Sequence, residues 1–130
     1  MITTINPSDL APPFGNYSHA VVFSEKKRML KTSGQLAIDL QLQIPDSTFD
    51  QSTLIFNNLE KILLQANMAR ENIIHLGAYV TDRAYMKEYM RARDDFFTGF
   101  THFPASTLLI VSGFTKPEFK VEIEITAVSD

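Results

Sequence analysis

Cysteine is missing from the sequence, which excludes disulfides, thiolate catalysis and cysteine-ligated zinc or iron–sulfur centres. The chain also lacks an apolar run near the ~20 residues that a membrane-spanning helix needs. Its first ten residues are polar and do not combine a basic start with an apolar core, so we expect no secretory signal. These absences predict a cytoplasmic protein with no membrane association.

Positive charge is not in excess either. Twelve Lys and Arg against fifteen Asp and Glu give a formal net charge of −3, which does not favour general nucleic-acid binding. The one basic cluster, residues 26–28, is short and is interpreted as a solvated turn. With 45% apolar residues in 130 positions, the composition is typical of one globular domain spanning residues 1–130.

Hydrophobic periodicity predicts five strands. Apolar runs on either side of the basic cluster indicate a β-hairpin of residues 19–25 and 28–33, followed by a loop at 36–47. Later runs favour strands at residues 73–80, 106–111 and 120–128. In the last strand, Val121, Ile123, Ile125 and Ala127 point to one face, while Glu122, Glu124 and Thr126 point to the other.

Apolar stripes of helical period predict two helices. Ser47 or Thr48 caps the first, with Thr48 and Gln51 at capping-box spacing, and Asn67 suits the left-handed position that ends it. Its stripe consists of Ser52, Ile55, Phe56, Leu59, Ile62, Leu63 and Ala66. The second helix begins at Thr81 or Asp82 and is ended by Pro104. Its stripe consists of Tyr85, Met86, Tyr89, Met90, Phe96, Phe97 and Phe100.

The element order ββαβαββ predicts a two-layer α+β domain in which two helices cover one face of a mixed sheet. Residues 108–111 (Leu-Leu-Ile-Val) are apolar on both faces, yet two helices cover only one of them. A second copy of the chain would bury the other face, so the pattern favours a homo-oligomer. The alternative is a central strand whose far face meets a loop.

Glu122 and Glu124 are candidates for acid–base chemistry because they lie roughly 7 Å apart on one strand face. Mutual repulsion and burial raise the proton affinity of such a carboxylate, which then serves as a general base toward water. A solvated strand face is the alternative interpretation.

Other residues carry weaker chemical signals. Tyr17 follows a Gly-Asn turn, and Gly34 after Ser33 permits close approach of a ligand to the backbone, although ordinary turn chemistry explains both. Arg93 falls inside the apolar stripe of the second helix, where a cation needs a partner unless its side chain reaches out from the edge. The three histidines have no metal-ligand spacing, so no metal site is predicted.

Several motifs occur together in the order and spacing of one family. They are an Ala-Pro, Gly-x-Tyr-Ser, Ala-Val pattern in residues 11–21, Ser-Gly-Gln at 33–35, Asn58-Leu59, Tyr-Val-Thr-Asp at 79–82, Phe96-Phe97, Pro104-Ala105 and Val-Glu-Ile-Glu at 121–124. As a set they resemble the Rid family (YjgF, also labelled L-PSP endoribonuclease) over nearly the whole chain.

The resemblance implies a chorismate-mutase-like α+β fold that assembles as a homotrimer with ligand clefts between subunits. It also implies a deaminase that hydrolyses reactive enamines and imines to a carbonyl product and ammonia, with no cofactor. By matching position, Glu122 would position the attacking water, Tyr17 would line the pocket, and Ser33 and Gly34 would border it. The partners would be small molecules and other copies of the chain.

One departure from the family pattern concerns substrate binding. The family holds the substrate carboxylate with an arginine in a Pro-Ala-Arg-Ser stretch, whereas this chain has Ser106 in that place, followed by Thr107. Met90 also stands where many members have asparagine. A serine hydroxyl offers one uncharged donor, while a guanidinium offers two parallel charge-assisted hydrogen bonds.

Three hypotheses remain open from the sequence. In the first, the chain is an enamine or imine deaminase in which Arg93 supplies the missing cation, with His19 and His102 as weaker candidates, and Ser106 and Thr107 donate hydrogen bonds. In the second, it is a trimeric small-molecule-binding or regulatory protein without catalysis. The third, an endoribonuclease, has little support because the sequence has no clustered His/Lys set and no basic groove.

Overall fold

Seven strands and two α-helices make up the computed structural model, which describes residues 1–130. In chain order they are β1 (Ile2–Ile5), β2 (Ala20–Phe23), β3 (Arg28–Lys31), β4 (Gln35–Leu36), α1 (Thr48–Gln65), β5 (Ile73–Val80), α2 (Met86–Phe96), β6 (Ala105–Ile110) and β7 (Val121–Ser129). Short 3₁₀ turns precede β5 and α2. No helix combines the length and the apolar character that crossing a bilayer requires.

The main sheet is organised around its last strand, β7. This strand pairs antiparallel with β3, β4 and β5, and β5 pairs parallel with β6, which gives the mixed order β3-β7-β5-β6. Val121, Ile123, Ile125 and Ala127 are all fully buried, as the alternation predicts. The bounds of β5 agree with the predicted residues 73–80.

Both helices pack on one face of this sheet, which confirms the predicted two layers. Ile55, Phe56, Leu59 and Leu63 from α1 and Tyr89 and Phe96 from α2 form the core with the apolar face of the sheet. The rings of Phe56 and Phe96 stack with centroids 4.7 Å apart across the helix pair. The opposite face of the sheet is not covered by a helix.

The helix ends agree only in part with the sequence. Ser47 caps α1 by accepting a hydrogen bond from the Asp50 amide, 3.0 Å away, and Asn67 is left-handed at φ 57°, as predicted. The predicted capping box of Thr48 and Gln51 is wrong, because the buried Gln51 amide instead bonds the backbone of the loops at residues 45 and 118–120.

The second helix begins and ends differently from the prediction. Asp82 caps the 3₁₀ turn in front of α2, where its carboxylate accepts a hydrogen bond from the Ala84 amide at 2.8 Å. The helix ends at Phe96, well before Pro104, so that proline does not terminate it. Gly99, at φ +88°, turns the chain away after the last helical residues.

The predicted hairpin of residues 19–25 and 28–33 is wrong, although both segments contain strands. β2 pairs antiparallel with β1, from Ile2 opposite Phe23 to Ile5 opposite Ala20, and these two strands form a separate ribbon. β3 pairs with β7 instead. Each of the two strands therefore pairs with a strand other than its neighbour in the sequence. Strand β1 was not predicted, and Glu25 takes a left-handed conformation (φ 60°) between β2 and β3.

Strand β6 lies at the edge of the main sheet, so the alternative of a central strand for residues 108–111 is wrong. Leu109 and Ile110 remain 50% and 43% exposed in the single chain. The two-sided apolar character of this segment is therefore not satisfied within one chain.

Candidate functional site

Polar side chains gather on the face of the sheet that no helix covers. Strand pairing places Glu122 opposite Tyr79, and Glu124 opposite Gly77. Lys31 reaches this face from β3, and the link between β3 and β4 brings Gly34 onto it. We refer to Lys31, Gly34, Tyr79, Glu122 and Glu124 as the open-face cluster.

The Ser33–Gly34 link is held against β7 from both sides. Before it, the amide and hydroxyl of Thr32 both bond the backbone of Ile125, each at 3.0 Å. After it, Leu36 pairs with Glu122 in the sheet. A Cβ built at Gly34 would lie 2.6 Å from Cδ of Glu122, so glycine lets this backbone pass over the carboxylate without displacing it. Gly34 and Glu122, which the sequence indicated separately as candidates, therefore lie together in one chain.

Glu124 is the strongly bonded carboxylate of the cluster. It forms an ion pair with Lys31, and the Tyr79 hydroxyl donates to its Oε1 at 2.5 Å. The bond from Lys31 and then the bond from Tyr79 lower the pKa of Glu124 from its ordinary value. This carboxyl therefore remains ionised at neutral pH.

Glu122 has the opposite environment, since no side chain or backbone group of the chain donates a hydrogen bond to its carboxylate. Partial burial, and then the negative charge of Glu124, raise the pKa of Glu122 from its ordinary value. A carboxyl with raised proton affinity on a sheet face is suited to accept a proton from water and to return it.

Arg93 lies elsewhere, at the β6 edge of the sheet and under the N-terminal segment. It is only 4% exposed, and its Nη2 is so close to the Gly15 backbone that a Cβ there would lie 3.1 Å from it. Its one acidic contact is its neighbour Asp94, at 3.3 and 3.4 Å. We refer to Gly15, Tyr17, Tyr89, Arg93 and Ser106 as the edge cluster.

Tyr89 lies close to both Arg93 and Ser106. Burial raises the pKa of Tyr89 to about 12, and the nearby Arg93 charge and Ser106 hydroxyl oppose that shift. The Tyr89 hydroxyl is fully buried and makes no hydrogen bond of ordinary geometry. The guanidinium from α2 thus lies beside the strand position where the family pattern has its arginine.

Tyr17 belongs to the same edge through the backbone. Its amide bonds the Gly15 carbonyl at 2.9 Å, and the next residue, Ser18, bonds the Pro104 carbonyl at 3.0 Å at the start of β6. The Tyr17 hydroxyl accepts a hydrogen bond from the Phe14 amide at 3.2 Å, and its ring meets His19 edge-on with centroids 6.3 Å apart.

The two clusters lie on opposite faces of the sheet. Ser106 pairs with Leu76, which is fully buried under the helices, whereas Thr107 pairs with Gly77 on the open face. One chain therefore brings Glu122, Ser33, Gly34 and Thr107 to one face, and Arg93, Ser106 and Tyr17 to the other face or its edge.

Sequence reasoning missed three residues of these clusters. The alternation of β5 would have placed Tyr79 beside the glutamates, and that of β3 offered a weaker signal for Lys31. Tyr89 was assigned to the apolar stripe, and nothing in the local sequence distinguishes its hydroxyl from a core ring.

A groove of about 690 Å³ contains no residue of either cluster. It opens between β1 and the segment after α2, and contains His102, whose Nδ1 is 3.2 Å from the Thr4 hydroxyl. His102 therefore lines this groove and bonds Thr4, and no contact joins it to Ser106. No group of three His, Asp or Glu side chains converges in the way metal ligands do.

Comparisons with known proteins agree along the length of the chain. Residues 8–129 match the family model described as Endoribonuclease L-PSP. A RutC family protein of Aquifex aeolicus is 34% identical over 117 residues, covering 89% of this chain and 90% of that protein. A RutC family protein of Buchnera aphidicola is 30% identical over 125 residues, covering 95% and 94%.

Solved structures match the fold as well. YyfB of Yersinia pestis, of the Rid protein family, superimposes with a TM-score of 0.86 at 26% identity and 98% coverage of both chains. E. coli TdcF, solved with bound serine, gives a TM-score of 0.73 at 25% identity, covering 98% of this chain and 99% of that one. These superpositions confirm the α+β fold class predicted from the sequence.

Substituting Gly34→Ala tests the contact between the Ser33–Gly34 link and Glu122. The added methyl group overlaps the end of a flexible side chain, so we expect the Glu122 carboxylate to move while the fold is retained. The ¹³C resonance of the Glu122 carboxyl should shift. Gly113→Ala is the matched control, because nothing lies within 4 Å of a Cβ there. An unchanged Glu122 resonance in Gly34→Ala would contradict the close approach.

Proposed function

The chain belongs to the Rid/YjgF family, whose model carries the description Endoribonuclease L-PSP, and we propose that it hydrolyses reactive enamines or imines of small metabolites to a carbonyl product and ammonia. The observation that carries this proposal is the environment of Glu122. Its carboxyl has raised proton affinity, accepts no hydrogen bond from the chain and lies beside the Gly34 backbone on an open sheet face.

In the proposed reaction, Glu122 handles the protons of a hydrolytic water. The water oxygen bonds to the imine carbon, the C=N electron pair moves to nitrogen, and Glu122 accepts a proton from the water. Nitrogen takes up that proton, the new hydroxyl gives its own proton through Glu122 to the nitrogen, and the C–N bond breaks to release ammonia. The balance is one water consumed and one ammonia formed. An enamine enters after its β-carbon gains a proton and its nitrogen loses one, which converts it to the imine.

Arg93 is proposed to bind an acidic group of the substrate. A nearly buried guanidinium whose only acidic partner is the adjacent Asp94, at 3.3 Å or more, is left with an incompletely satisfied charge. Ser106 and Tyr17, of the same edge cluster, would add hydrogen bonds to that group. The ligand carboxylate would enter where the Gly15 backbone now lies over the guanidinium. The serine bound to E. coli TdcF is consistent with an amino-acid-sized ligand.

A homotrimer is proposed because one chain separates the two halves of the site. Glu122 faces away from the helices, while Ser106 and Arg93 lie on the helix side at the β6 edge. A neighbouring copy docked along β6 would cover the exposed Leu109 and Ile110 and bring its own cluster to the seam. Thr107, on the open face, would then donate to the ligand from the seam.

Sedimentation equilibrium tests this assembly directly. We expect a mass three times that of the chain at micromolar concentration. Replacing Leu109 with lysine should shift the distribution toward lower mass, because it buries a charge in the seam. Leu64→Lys, at an exposed position on the far side of α1, is the control. A wild-type mass of one chain would refute the shared site.

The second candidate is a trimeric small-molecule-binding or regulatory protein without turnover. It is favoured by one observation, Ser106 in the position where the family has its arginine. It predicts saturable binding of keto acids or other small carboxylates with no ammonia release. Endoribonuclease activity, despite the family description, has no excess of positive charge in the chain to support it, since twelve Lys and Arg stand against fifteen Asp and Glu.

Ammonia release from freshly generated 2-aminoacrylate or 2-iminobutanoate is the test of the proposed activity. We expect turnover by the wild type, and a fall in kcat/KM of about 100- to 10,000-fold in Glu122→Gln, which removes the group that accepts the proton. Glu118→Gln, exposed and outside both clusters, should retain full activity. Ligand binding without ammonia release, alongside an active relative that has Pro-Ala-Arg-Ser, would support the second candidate instead.

Arg93→Gln tests the role of the relocated arginine. Losing charge-assisted hydrogen bonds worth about 1.5–3 kcal/mol should raise KM for an imino acid about 10- to 100-fold, with little change in kcat. Arg91→Gln is the control, since Arg91 lies on the same helix but stacks on Phe49, 4.0 Å from the ring centroid. Arg93→Lys, which keeps the charge, should give an intermediate KM. An unchanged KM in Arg93→Gln would exclude the proposed contact.

A further inference from the structure

The two glutamates of β7 are treated unequally by their neighbours. Glu124 receives donors from two other strands, Lys31 of β3 and the Tyr79 hydroxyl of β5, the latter at 2.5 Å. Glu122 receives no donor from the chain, although it lies on the same strand face. Nothing in an alternating Glu-Ile-Glu sequence predicts this difference, which arises only from what the other strands bring to the face.

Glycine makes the arrangement possible on both sides. A Cβ built at Gly77 would lie 3.0 Å from Cγ of Glu124, so the Glu124 side chain lies over the bare backbone of β5 next to Tyr79. On the other side of β7, the Glu122 side chain lies over the bare backbone of Gly34. Each glutamate side chain thus lies against bare backbone at a glycine.

We propose that Glu124 is a positioning residue, kept ionised by Lys31 and Tyr79 so that Glu122 is the carboxyl that exchanges a proton with the hydrolytic water. The negative charge of Glu124, two residues away on the same strand face, opposes a second negative charge on Glu122. When the pair binds one proton, that proton therefore resides on Glu122. The catalytic consequence rests on the proposed function, whereas the division of charge between the two carboxyls does not.

The division of charge between the two carboxyls depends on the groups that the neighbouring strands place around Glu124. Lys31 of β3 and His75 of β5 both favour the ionised form of Glu124, His75 doing so when it is protonated. Tyr79 donates to Glu124, and the pKa of Tyr79 is raised by that bond, so it remains a donor throughout the neutral range. Leu36 of β4 and Thr107 of β6 add no charge to the face.

This division of charge fixes the sign of the pH dependence. A general base works only when ionised, so activity rises as the pH passes through the pKa of Glu122. Partial burial and then the charge of Glu124 raise that pKa, and the acidic limb of kcat/KM therefore lies at higher pH than an ordinary glutamate would give. Removing the charge of Glu124 should move the limb to lower pH.

The experiment is a ¹³C NMR pH titration of the glutamate side-chain carboxyls in the full-length protein. In the wild type, Glu122 should titrate above and Glu124 below the ordinary range. In Glu124→Gln, the pKa of Glu122 should fall toward its ordinary value, because the neighbouring negative charge is removed. The acidic limb of kcat/KM should move by the same amount. Glu118→Gln makes the same charge change on an exposed loop and should move neither.

Lys31→Met provides a second route if Glu124→Gln does not fold. It should raise the pKa of Glu124, while Lys27→Met, at an exposed position in the preceding turn, should not. An unchanged Glu122 titration in Glu124→Gln, or a wild-type Glu124 that titrates above Glu122, overturns the proposal. If Glu122 and Glu124 titrate at different pH as expected but no imine releases ammonia, the proposed function is refuted, whereas the proposed division of charge between the two carboxyls is retained.

Discussion

Alternation along β7 is the constraint on which the rest of the structure depends. Burial of its four inward side chains, worth roughly 1.5–3 kcal/mol for each large aliphatic residue, fixes the register of β7 against β3 and β5. A slip of one residue would bury Glu122 and Glu124 and expose the core set. The position of both carboxylates on the uncovered face is therefore a consequence of core packing. Hydrophobic residues on the other face of the sheet thus fix the position of Glu122.

Under the proposed function, the uncovered face is also the reason why a single chain would form only part of the site. A carboxylate on an open sheet is well solvated, and only a further surface would exclude water enough to make its proton affinity useful. Strand β6 offers such a surface at the edge, where apolar side chains remain exposed. The same geometry separates Glu122 from Arg93 within one chain, so association and catalysis become parts of one proposal.

The proposed use of Arg93 as the substrate-binding cation would affect specificity. In the family pattern the arginine extends from the strand, whereas here a guanidinium from α2 lies beside Ser106 under the Gly15 backbone. The cation is fixed by a rigid helix and surrounded by Tyr89, so its direction of approach to a ligand differs. Substrates whose acidic group lies at a different distance from the reacting carbon would fit this arrangement, which explains why membership of the family does not by itself identify the substrate.

Local pattern determined much of this protein from sequence alone. The bounds of β5, the cap and stripe of α1 and the two faces of β7 each depend on neighbours a few residues apart, and all three were predictable. The motifs also identified Glu122 and Gly34 as candidates, and the structure brings them together. Tertiary structure alone decided that β2 pairs with β1 rather than with β3, and that Gln51 holds two loops instead of closing a capping box. Only the tertiary structure decided that Lys31 and Tyr79 bond Glu124 while the Glu122 carboxylate remains without a hydrogen bond. Those contacts join strands far apart in the chain, so their formation depends on how the whole sheet is assembled.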